Sequence, residues 1–139
     1  MAFAYLPRKT VDFELLMSSL LAYDGLTVKP YIDVTGYDAL PLLAFRGLNG
    51  VGVGNVAAAA GLGSSWDLVL TLWTKGMDGR LCDTVYQHVH GLEGFGIESV
   101  GVVVSVEDVA MFDRVAGVVL PDKQVIQYDA TFSVTVEPV

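Results

Sequence analysis

A chain of 139 residues has room for one domain built on one core. Its net charge of −8, from sixteen acidic and eight basic residues, excludes the cationic stripe that grips a nucleic-acid backbone. Hydrophobic residues reach 53% and charged residues fall to 17%, against about 25% in ordinary soluble domains, yet no run of about 18 apolar residues is present to span a membrane.

In chain order, Thr10 is expected to cap a first helix over residues 10–24, with Asp12 and Glu14 in its opening turn and Phe13, Met17, Leu20 and Leu21 at helical spacing. Asp24-Gly25 supplies the stop. Leu26 to Asp33 reads as a strand, and Pro30 within it predicts an edge or a bend. Ala39 to Gly47 reads as a second, short and apolar strand.

Residues 48–64 are glycine-rich with interleaved Val and Ala, and read as a long loop. Ser65 to Lys75 alternates as a third strand. Trp66, Leu68, Leu70 and Leu72 are assigned to its core face, while Val69 and Trp73 leave the opposite face half apolar. Asp78 is expected to cap a second helix with a stripe of Leu81, Val85 and Val89, stopped by Gly91. A fourth strand spans about 97–106, an acidic and apolar excursion fills 107–123, and a terminal strand runs from 124 to 137 with a period of two. The pattern α-β-β-β-α-β-β predicts one α+β domain over residues 1–139, with two helices on one face of a mostly antiparallel sheet of about five strands.

Catalytic and cofactor motifs fail on spacing. Gly52-Val-Gly-Asn-Val-Ala57 resembles a dinucleotide fingerprint but lacks the following helix and the acidic residue about twenty positions on. His88 and His90 lie about 200° apart around a helix, so they do not share a metal, and Cys82 falls on another face. No Gly-x-Ser-x-Gly elbow is present, and the acidic residues 93–113 lack the alternate-position spacing of a calcium loop. The expectation is a protein that is not an enzyme, with no catalytic residues, no cofactor and no metal. A single cysteine suits a reducing compartment, and no signal peptide is apparent.

Taken together, the N-terminal helix, Thr27-Val-Lys-Pro30, the Pro-Leu-Leu-Ala-Phe strand at 41–45, the Trp-Asp-Leu-Val-Leu-Thr-Leu-Trp strand at 66–73 feeding the second helix, and the closing Tyr128-Asp-Ala-Thr-Phe-Ser-Val-Thr-Val136 resemble, in order and length, the tail terminator (tail completion) proteins of long non-contractile-tailed bacteriophages. The resemblance covers nearly the whole chain at the level of pattern. It implies a homohexameric ring in the virion, made in the bacterial host cytoplasm. Such a ring sits at the head-proximal end of the tail, ends tube polymerisation and joins the tail-tube protein to the head-side connector. Genomic DNA passes through its lumen.

The apolar excess agrees with the need for partner subunits, and negative walls suit a conduit for a polyanion. The residues proposed for subunit or tube interfaces are Val51, Val53, Val56, Leu62, Val69, Trp73, Met111 and Phe112; Glu93, Glu98, Asp129 and Glu137 are proposed to face the lumen. Two rivals remain at this level: a neck stopper or head-completion protein of the same connector, and a small dimeric α+β enzyme or ligand-binding domain.

Overall fold

A computed structural model describes residues 11–36, 39–52, 63–116 and 124–139. The elements in order are α1 (Phe13–Leu20), β1 (Thr27–Pro30), a 3₁₀ turn (Tyr31–Asp33), β2 (Leu42–Gly52), β3 (Ser64–Lys75), α2 (Gly79–His90), β4 (Gly96–Ile97), β5 (Gly101–Arg114) and β6 (Val125–Glu137). They form a single sheet in the order β1-β2-β3-β6-β5-β4, antiparallel throughout except for the parallel pair β1–β2. This is the expected α+β architecture, with one strand more than the sequence pattern suggests.

The frame is the β3–β6 pair, which stays in register without a bulge from Ser64↔Val136 to Lys75↔Val125. Both strands alternate strictly in sequence, so one set of side chains stands on each side. Leu68, Leu70, Leu72, Tyr128, Ala130, Phe132, Val134 and Val136 point into the core, joined by Leu43 and Phe45 from β2 and Val103 and Val106 from β5. Both helices lie on this side. α1 brings Phe13, Leu16 and Met17, and α2 brings Cys82, Val85 and Val89.

The ends of α1 differ from the sequence expectation. Asp12, not Thr10, is the cap: its carboxylate accepts the Leu15 amide at 3.1 Å, and the helix begins at Phe13. Thr10 itself lies outside the described residues. α2 starts as expected, the Asp78 carboxylate accepting from the Leu81 amide at 3.0 Å. The Asp78 amide donates to the Tyr128 hydroxyl at 3.1 Å, which ties the helix start to β6.

Three strand limits change. β1 is an edge strand, as Pro30 predicts, but ends there and turns into the 3₁₀ segment rather than running to Asp33. β2 continues through Gly52, past a register shift between Leu48 and Val51 where Asn49 takes φ 55°. β5 begins at Gly101 and extends to Arg114, absorbing half of the segment read as an excursion over 107–123. Three register shifts in β5, at Val103/Ser105, Asp108/Ala110 and Ala110/Asp113, break the period of two that would have marked it.

Candidate functional site

Among the described residues, no helix lies over the sheet face turned away from α1 and α2. Strand pairing places its side chains in rows. Ala44, Thr71, Asp129 and Asp113 form one row; Arg46, Val69, Thr131 and Ala110 the next; then Leu48, Asp67, Ser133 and Glu107. Ser65, Thr135 and Ser105 follow, and Glu137 opposite Val102 ends the series.

Five carboxylates thus stand on one face, against three cations: Arg46 within the rows, Lys29 beside Ala44 on β1 and Lys75 at the end of β3. Asp129 faces Asp113 directly across β6 and β5, a like-charge pair that costs stability where it sits. Three side-chain hydrogen bonds cross this face. Asn49 donates to Asp67 at 2.7 Å, Gln127 to Asp129 at 3.3 Å, and the Ser65 and Ser133 hydroxyls are 3.4 Å apart. Arg46 lies over the Tyr31 ring at 4.8 Å.

One end of this face is covered by the chain itself. Leu42, Ala44, Trp73 and Val125 form a second, small core with Val34 and Leu40 against it. Trp73 is buried there, with Tyr31 stacked 6.4 Å away and its indole N–H donating to Gln127 Oε1 at 3.1 Å. The expectation that Trp73 awaits a neighbouring subunit is therefore corrected: its apolar cover includes Tyr31, Val34 and Leu40 of the same chain.

The other proposed residues separate. Val69 stays half-buried on the open face. Met111 is exposed on β5, while Phe112 beside it is half-buried and packs against the main core. Val51 pairs with Ser65 near the end of β2, and Val53, Val56 and Leu62 lie outside the described residues. Of the four acids proposed for a lumen, Asp129 and Glu137 share the open face. Glu93 does not: it follows α2 and its carboxylate accepts the Val106 amide at 2.8 Å. Glu98 sits in the exposed turn between β4 and β5.

The helix side holds a cluster that the sequence reading did not find. The Tyr86 hydroxyl donates to Asp108 Oδ2 at 2.6 Å, and His90 Nε2 donates to Oδ1 of the same carboxylate at 2.5 Å. The two rings lie 4.7 Å apart and rest on Phe132. Tyr86 and His90 are four apart on α2, hence on one helix face, which was the available signal; Asp108 lies on a distant strand. The two donors hold the Asp108 carboxyl below the usual carboxylate range, the Tyr86 bond contributing most, and the same bond raises the Tyr86 hydroxyl.

A carboxyl depressed on folding stabilises the fold fully above its unfolded value of 3.8, and that contribution fades as pH falls through the lower folded value. Asp108→Asn is therefore expected to lower the urea midpoint near neutral pH. The deficit should shrink as both proteins are taken below about pH 4. An undiminished deficit in acid would remove the carboxylate from this account.

A groove of about 620 Å³ runs between the helices, lined by Leu20, Tyr23, Gln87, His88, Leu92 and Phe95 among others. His88 Nε2 donates to the Leu20 carbonyl at 2.9 Å, which fixes its tautomer and joins the two helices. The Cys82 thiol is pushed up to about 11, by burial first and then by Asp78 and Asp83, so it stays protonated at neutral pH. Among the described residues no group of three His, Cys, Asp or Glu side chains is placed to hold a metal ion. No protein-family model matches this sequence, and no curated protein does.

Proposed function

We propose that the chain is a structural virion protein of the tail-terminator kind. Copies of it, six in the reading that the resemblance implies, form a ring at the head-proximal end of a phage tail. The ring ends tube polymerisation, offers the surface that joins the head-side connector, and lets genomic DNA pass through its lumen. The observation that carries this reading is the open sheet face, where five carboxylates spread over β3, β6 and β5 outnumber three cations, Lys29 and Arg46 toward the β1–β2 edge and Lys75 at the end of β3. A wall of that charge repels the phosphate backbone, so the polyanion does not stick in transit. The helices on the other side then face outward.

Native mass measurement with negative-stain imaging tests the ring: the expected result is six times the 14.9 kDa chain mass and an annular particle that blocks extension of tail tubes. The lumen has its own test. The triple substitution Asp67→Lys, Asp129→Lys and Glu137→Lys is expected to make duplex DNA bind with strong salt dependence, while the unaltered protein leaves it unretarded. Tight DNA binding by the unaltered protein would sink the conduit.

The helix–helix groove favours a second reading, a dimeric ligand-binding domain. That reading requires a dimer mass and no annular particle.

A further inference from the structure

The four long strands lie in the order β2-β3-β6-β5, each antiparallel to the next, and their outer neighbours are stubs. β1 pairs with β2 from Leu42 to Phe45, and no described strand lies beside Arg46 to Gly52 on that side. β4 pairs with Gly101 and Val102. Beyond it the backbone of Gly94 and Phe95 serves Val103, and the Glu93 carboxylate takes the Val106 amide. From Glu107 to Arg114 no described strand reaches the outer side of β5. Residues 107–111 are all exposed, as are 48–50 on β2. Such edges carry unpaired backbone donors and acceptors and are templates for strand addition.

We infer that these two edges are the two halves of one interface: the β5 edge of one copy, Glu107 to Arg114, adds to the β2 edge, Arg46 to Gly52, of a second copy of this chain. Strand direction permits it. Because the four long strands alternate, β5 runs opposite to β2. Rotation about an axis along the strands preserves each copy's direction, so the junction is antiparallel and continues the alternation.

Charge favours it as well. Glu107 and Asp113 stand near one edge and Arg46 near the other, with Val109 and Met111 exposed on β5 and Leu48 exposed on β2 to supply apolar contact. Pairing β5 with its own copy about a two-fold axis would set acid against acid, which is unfavourable. The stubs add a geometric condition. β1 occupies the start of β2 and β4 the start of β5, so the open stretches lie at different heights and neighbouring copies must be offset along the strands. A closed barrel requires that stagger, and the bulges of β5 supply curvature.

This seam deepens the ring reading and rests on it for closure; two measurements separate them. Arg46→Glu and the pair Glu107→Lys with Asp113→Lys each change exposed side chains. Each is expected to keep its circular dichroism and a cooperative melting transition while weakening self-association roughly tenfold or more. An equimolar mixture should recover the native mass of the unaltered protein, because every junction then joins either two unaltered edges or an acidic β2 edge to a basic β5 edge. In a chain carrying both Leu48→Cys and Val109→Cys, oxidation should give a ladder of linked chains. A ring that forms equally well in both variants and yields no ladder overturns the seam alone. A monomeric unaltered protein overturns seam and ring together.

Discussion

Gly47→Val is expected to cost about 3 kcal/mol of folding stability and to lower the melting temperature by roughly 10 °C. The cause is space. A Cβ at Gly47 would stand 2.4 Å from Phe13 Cδ2, 2.8 Å from Phe13 Cε2 and 3.1 Å from Trp66 Cε3. Those two rings are stacked at 4.9 Å and 9° over β2, and Gly50 meets the far side of the same indole, with a virtual Cβ 2.6 Å from its ring carbons.

Phe13 opens α1 and is buried, so displacing its ring also displaces the start of the helix. Gly50→Val should cost less, because Trp66 is half-buried and its outer edge can yield. Thermal denaturation of both variants checks the order, with near-UV circular dichroism reporting the indole. A shift under about 2 °C for Gly47→Val would mean that the stack moves freely.

These two glycines explain part of what was legible in the sequence. In one dimension Gly47 ends a short strand and Gly50 falls in a glycine-rich stretch that reads as a loop; in three they are the flat ground on which Phe13 and Trp66 lie. β3 and β6 were legible almost to the residue because nothing interrupts their period of two and each buries one face. β2 and β5 carry the same kind of strand across register shifts, and each shift inverts the alternation, so the pattern looked lost at Leu48 and again at Glu107. β4, with two residues, has no period to detect.

The candidate site divides along the same line. Asp129 and Glu137 could be assigned to a polar face because they belong to the unbroken β6. Their companions Glu107 and Asp113 could not be placed while β5 read as an excursion. Trp73 differs for another reason: Val34 and Leu40, which pack with it, belong to no helix or strand, so no periodicity marks them as its cover. Asp108 is linked to Tyr86 and His90 through tertiary contact between α2 and β5, which no local spacing encodes.

Phe132→Ala should be the most damaging single truncation, at about 3–5 kcal/mol, with a melting temperature lower by roughly 10–15 °C. Phe132 is fully buried at the centre of β6, opposite Leu68 on β3, and the Tyr86 and His90 rings rest on it at 5.9 and 5.8 Å. Removing the ring leaves a cavity and takes away the floor under the residues that grip Asp108. Loss of Asp108 should therefore matter less once Phe132 is gone. Combining Phe132→Ala with Asp108→Asn is expected to lower the denaturant midpoint by less than the sum of the two single effects. A strictly additive result would mean that the clasp stands without its floor.

The neighbours Thr131 and Ser133 point to the opposite face, so the carboxylate rows keep their register wherever the variant remains folded. At a temperature well below its melting point, Phe132→Ala should then assemble with the same native mass as the unaltered protein, whereas the charge variants at the sheet edges should not. That contrast assigns the helix side of the sheet to stability and the open side with its two edges to assembly. A Phe132→Ala chain that is folded yet monomeric would join what the topology separates.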